Sequence, residues 1–246
     1  MINDIDNSQQ MAAKVAGFTG LFTMAIVVAV NFAIHERLIA GNAAETARNI
    51  LAHEALFRIG IACDLIYCVG LVVLLTALYV ILTPVSQGLA MLAAFFRLVY
   101  AFIWVLMTIN LSDALRLLRG ADYLRVFEAD RLQALARLSL GRSFDQYYVG
   151  LLFYGLASAA CGYLWLKSRY IPQALAAFGV ISSVFCAGCT LAFIIFPDFT
   201  KLVNLWWFDS PMGVFELVLS LWLLLKGIRS PHLLTSPASS AAAGSN

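Results

Sequence analysis

Long apolar runs separated by short polar stretches dominate the pattern along the chain. The runs cover residues 15–34, 57–83, 88–110, 147–166, 172–196 and 211–226. Most approach or exceed the ~20 residues with which a helix crosses a hydrocarbon core of about 30 Å. A backbone in hydrocarbon must satisfy its own hydrogen bonds, so such runs predict helices. Their borders carry turn and cap signals. Thr83-Pro84-Val85-Ser86-Gln87-Gly88 reads as a tight turn, and Lys167-Ser168-Arg169 with Pro172 divides the fourth run from the fifth. Pro197 stops the fifth, and Ser210 with Pro211 read as N-cap and first residue of the sixth. Small residues spaced four apart predict close helix packing: Ala16 with Gly20, Gly155 with Ala159, Ser158 with Gly162, and Gly179, Ser183 and Ala187.

The stretches between the runs differ in kind. Residues 35–56 form a polar connection whose second half reads as helical, with Glu54 and Arg58 paired at i,i+4. Residues 112–143 scatter six arginines among leucines at helical spacing, with Gly120 and Gly141 as breaks, which predicts an amphipathic segment lying on the membrane surface. Phe199, Trp206, Trp207 and Phe208 read as an aromatic belt at the interface. Residues 1–10 are polar and residues 230–246 are of low complexity, and both are expected to be disordered, leaving 11–229 as one membrane unit. The first run is too long for the core of a cleavable signal and lacks a small-residue cleavage pattern.

Composition raises this pattern to a class. The 246 residues are 62% apolar and 12% charged, with a mean hydropathy of +0.85, whereas soluble domains are nearer about 45–50% and about 25%. The fold class read from the sequence is therefore all-α, a polytopic membrane bundle of six transmembrane helices plus an amphipathic interfacial segment, with the lipid bilayer as its first partner. A net charge of +2 gives no case for nucleic acid. Cys63, Cys68, Cys161, Cys186 and Cys189 all fall in apolar runs and read as small buried thiols, with a redox role for Cys186 and Cys189 as the alternative.

Charges inside the runs are the candidate chemistry. Each costs roughly 2.5 to 3.5 kcal/mol at a helix centre unless paired or wet. Six spans put both termini on one face, side A; the opposite face is side B. At 1.5 Å per residue, Asp64 and Glu216 lie roughly 8 to 10 Å below side B, and Arg97 roughly 20 Å from it. Asn31 and His35, Arg58, Tyr147, Tyr148 and Tyr154, and Asn110 with Asp113 also fall in the side B half, while the side A half is aliphatic. This predicts a polar cavity opening to side B, with Arg97 as its floor, Asp64 and Glu216 on its walls, and Arg58, His35 and Tyr154 as further binding candidates. A structural ion-pair network that fixes helix order is the competing reading. The lysines and arginines outside the spans number ten on side B against Lys14, Lys167, Arg169, Lys226 and Arg229 on side A, and orientation stays open because six of the ten belong to residues 112–143.

Several of these residues form a recognisable set: Phe57-Arg58-Ile59-Gly60, Asp64, Ala77-Leu78-Tyr79 through Pro84, Phe96-Arg97-Leu98-Val99, Lys167-Ser168 with Ile171-Pro172, and Glu216 through Trp222-Leu223-Leu224-Leu225-Lys226-Gly227. Over about residues 11–229 the chain resembles the bacterial membrane-protein family known as domain of unknown function 4386. The resemblance implies a compact multi-span bundle in a bacterial cytoplasmic membrane, and marks Arg58, Asp64, Arg97 and Glu216 as family positions. It implies no activity. Three function classes follow from the residues. The first is binding or transport of a small polar or amphipathic molecule, with Arg97 holding an anionic group. The second is a membrane-embedded enzyme using Asp64 and Glu216, the weaker reading. The third is a structural or regulatory partner protein. No cofactor is implied, and no metal: His35 and His53 flank one loop and His232 sits in the tail, which is poor zinc geometry.

Overall fold

The computed structural model describes residues 6–229 apart from 125, 197 and 204, and only the backbone at 200, 202, 205 and 206. In chain order the helices are α1 (Asn7–Val30), which runs through a π-turn (Asn31–His35) into α2 (Glu36–Leu38), then α3 (Ala43–Ala52), α4 (Glu54–Leu82), α5 (Gln87–Arg119), α6 (Ala129–Ser168), α7 (Gln173–Ile195), α8 (Phe199–Leu202) and α9 (Leu205–Leu225). Among the described residues six helices are long and apolar enough to cross a membrane and no strand occurs, so the fold is an all-α, multi-pass bundle. Each span packs against its neighbour in sequence, and α9 closes the ring against α1.

Small residues permit that closure. A Cβ at Gly17 would stand 2.5 Å from the Leu224 backbone nitrogen, and Gly20 lies directly against Ser220, so α1 and α9 meet almost backbone to backbone. Gly155 of α6 does the same against Ser183 and Ala187 of α7. The side A half of the core is aliphatic and aromatic, built on Leu78, Ile81, Leu164, Trp165, Phe215 and Leu223. Lipid-facing positions such as Val69, Phe102 and Ile181 stay exposed, as a bundle solvated by acyl chains requires.

Three elements depart from the sequence reading. Residues 112–143 do not form a surface helix. Their first part continues α5 to Arg119, Gly120 ends it in a left-handed conformation (φ 63°), and from Ala129 the rest is the start of α6, running unbroken through Gly141. The apolar stripe is covered by protein: Leu111, Ala114 and Leu115 of α5 pack with Ala136 and Leu140 of α6 and with Ile50 and Phe57. An α6 of 40 residues is about 60 Å long, so both helices project beyond the hydrocarbon on side B.

Pro211 is likewise not the first helical residue. It lies inside α9, which starts at Leu205. Phe208 is fully buried and Tyr147 Oη donates to Asp209 Oδ2 at 2.6 Å, so packing and a hydrogen bond hold the preceding turn despite the proline. The aromatic belt divides accordingly: Phe208 is core and Trp207 is exposed, while the Trp206 side chain is outside the described set.

At the other terminus, residues 7–10 form the first turn of α1. Gln9 Nε2 donates to the Ile81 carbonyl at 3.2 Å and Gln10 Nε2 to the Ile228 carbonyl at 2.8 Å, which ties that turn to the side A ends of α4 and α9. The expected disorder of residues 1–5 and 230–246, and the stop at Pro197, lie outside the described residues.

Candidate functional site

Six residues were expected in one cavity, and the structure distributes them over three places. The deepest is a closed cluster on α5, α6 and α9. Arg97 Nη2 donates to Glu216 Oε1 and to Ser158 Oγ, both at 2.9 Å, and Ser158 Oγ donates to Glu216 Oε1 at 2.8 Å. The Tyr154 ring lies under the guanidinium, 4.7 Å from centroid to Cζ. Arg97 is 2% exposed and Glu216 7%. Tyr154, Ser158 and Gly162 share one face of α6 by their i,i+4 spacing, which is why the hydroxyl and the ring reach the same cation.

Little space remains there. A crevice of about 10 Å³ reaches Arg97 between Tyr79 of α4, Ala93 of α5 and Cys161 of α6. That is room for about one water molecule. Arg97 Nε and Nη1 have no hydrogen-bond partner among the described residues.

Asp64 belongs to the second place. It faces inward from α4, 3% exposed, with His35 Nε2 3.9 Å from its Oδ2 and with Trp104 of α5 among its polar neighbours. The π-turn brings His35 there: an extra residue in the turn widens α1 at Asn31–His35, and Ile34 seats beside Gly60 of α4. The expected grouping of Asp64 with Arg97 and Glu216 is thus corrected; Asp64 pairs across α1 and α4, and Arg97 across α5, α6 and α9. A belt of rings lies between them, with Tyr67 Oη and Tyr100 Oη 3.3 Å apart and the Tyr100 and Tyr154 ring centroids at 4.7 Å.

Arg58 marks the third place, and it has the space. A hollow of about 680 Å³ opens at the side B end of α4 and α5, lined by Arg58, Ile61, Ala62 and Leu65 of α4, Ser112, Leu115, Arg116 and Arg119 of α5, and Gly120, Ala121 and Asp122 after it. Glu54 Oε1 accepts from Arg58 Nε at 2.7 Å and lies 3.6 Å from Arg119 Nε, so one carboxylate gathers two guanidiniums at the mouth. Arg116 stands 3.8 Å from Asp113. Sequence reasoning singled out Arg58 but not Arg116 and Arg119, because it placed them on a surface helix. It also treated Ser158 only as a small packing residue, and passed over Trp104 and Asp209.

Among the described residues no three of His, Cys, Asp and Glu gather as a metal site would require, and the five cysteines are free thiols. Residues 15–227 match the family described as domain of unknown function 4386. The chain belongs to this family. The match spans all six helices and the three polar places, which agrees with the resemblance read from Arg58, Asp64, Arg97 and Glu216. A relative of this family member is an uncharacterized protein of Archaeoglobus fulgidus, 25% identical over 165 residues, which are 65% of this chain and 79% of the relative. That relative is archaeal, so the bacterial membrane rests on the resemblance alone. No solved structure matches the chain.

Proposed function

We propose that this is a cell-membrane protein that binds, and in a transport cycle would carry, a small amphipathic anion, with the hollow between α4 and α5 as its entry site. One observation carries the reading: a hollow of about 680 Å³ joins three arginines to an apolar wall of Ile61, Ala62, Leu65 and Leu115. Guanidiniums suit a phosphate or carboxylate through paired N–H donors, and the wall suits an alkyl chain. In this reading Arg58, Arg116 and Arg119 hold the anion.

The other candidates take supporting parts. Arg97, Glu216 and Tyr154 lock α5 to α6 and α9, because the crevice beside Arg97 is too small for more than one water-sized group. That observation favours the structural reading for this cluster. Asp64 and His35 form a polar joint between α4 and the π-turn after α1, outside the lining of the hollow.

Equilibrium dialysis of decyl phosphate against the purified protein in maltoside micelles tests the reading. Saturable binding is expected, weakened about tenfold or more in the variant R58A/R116A/R119A, a loss of two or three charge-assisted contacts. Equal binding by wild type and variant, with both folded by melting temperature, contradicts it.

A further inference from the structure

The hollow has walls of two kinds, and they are ordered by depth. Arg58, Arg116, Arg119 and Asp122 form its outer rim, while Ile61, Ala62 and Leu65 line it further along α4. Further along means deeper, since α4 enters the bilayer from its Glu54 end and α5 leaves it toward Arg119. The apolar wall does not stop at the hollow. Leu65 is followed at helical spacing by exposed Val69 and Val72 on α4, and Ile109 is exposed below Ser112 on α5. The hollow is therefore continuous with the lipid-facing surface of the bundle, and its arginines stand at headgroup level of the side B leaflet.

Two of the three rim arginines are loosely held, while Arg58 Nε is hydrogen-bonded to Glu54 Oε1 at 2.7 Å. Arg119 lies 3.6 Å and Arg116 3.8 Å from their carboxylate partners, beyond hydrogen-bond length, and all four side chains are solvent-accessible. Exposed pairs of this kind contribute about 0–1 kcal/mol, so a phosphate offering two acceptors to one guanidinium displaces them at little cost. Of the residues that line the rim three are cations and one, Asp122, is an acid, and Glu54 and Asp113 stand against the arginines from outside the lining.

Resting on the anion-binding reading above, we infer that the ligand is an anionic phospholipid entering sideways from the side B leaflet. Its phosphate sits on Arg58, Arg116 and Arg119, and an acyl chain follows Ile61, Leu65 and Val69. A soluble phosphate satisfies the rim but leaves the apolar wall unused.

Native mass spectrometry of the protein released from phosphatidylcholine nanodiscs containing a minor fraction of phosphatidylglycerol tests this. Wild type is expected to retain phosphatidylglycerol over phosphatidylcholine, with retention reduced about tenfold in R58A/R116A/R119A. Leu65→Trp, which fills the deep wall and leaves every arginine in place, is expected to lower retention without moving the binding of glycerol 3-phosphate. Retention that is indifferent to headgroup and to both variants overturns the inference. If decyl phosphate binding is still lost in the triple variant, only the lipid source has failed; if that too is unchanged, the anion-binding reading fails with it. Glycerol 3-phosphate binding as tightly as the lipid assigns the hollow to a soluble anion and overturns the inference.

Discussion

Arg97 shows how a single buried charge is kept in a membrane bundle. Its guanidinium shares Nη2 between Glu216 and Ser158 and rests on the Tyr154 ring, so three helices contribute to one cation. Removing one partner of such a pair leaves the other charge uncompensated in low dielectric, which costs about 3–5 kcal/mol, whereas replacing both by apolar side chains is often nearly neutral. Glu216→Ala is therefore expected to lower the unfolding free energy in detergent by about that amount, and Arg97→Met with Glu216→Leu to recover most of it. A double variant as unstable as Glu216→Ala would show that the polar network itself is required. The sequence made these residues conspicuous because a charge inside an apolar run has no other explanation than a partner or water. It did not make the partner legible: Asp64 and Glu216 lie at similar depth by residue counting, and depth alone does not say which helices are neighbours around a ring. Ser158 stayed hidden because a serine among glycines and alanines looks like spacing.

At the scale of elements, the spans were legible because hydrocarbon imposes a length and an apolar composition on any helix that crosses it. The ends were less so. Residues 112–143 alternate arginine and leucine as a surface helix would, and the pattern reports an apolar stripe without saying whether lipid or protein covers it. Leu115 of α5 and Leu140 of α6 supply the answer, since each is buried against the other projecting helix and against Phe57. Pro211 misled for a similar reason. The start of α9 is fixed by tertiary contacts of Phe208 and Asp209, which a local cap signal does not contain. The π-turn at Asn31–His35 has no sequence marker at all, yet it is what carries His35 to Asp64.

For the whole molecule, the long α5 and α6 settle what the charge count means. Arg116, Arg119, Arg131, Arg137 and Arg142 sit on helices continuous with two spans, within the range of the membrane where lysine and arginine bias counts toward orientation. Side B is accordingly expected to face the cytoplasm. A phosphatase fused after Arg229 should be active in a bacterial host and a fluorescent protein fused there dark; the reverse pattern would contradict this orientation. The central claim concerns the hollow on that face. It is tested most directly by maleimide labelling of Ala62→Cys, inside the hollow, with Ala52→Cys outside it as control and the native thiols Cys63 and Cys189 replaced by serine. Decyl phosphate is predicted to slow labelling at residue 62 several-fold and leave residue 52 unchanged. Unchanged labelling at 62 under saturating ligand would contradict the account.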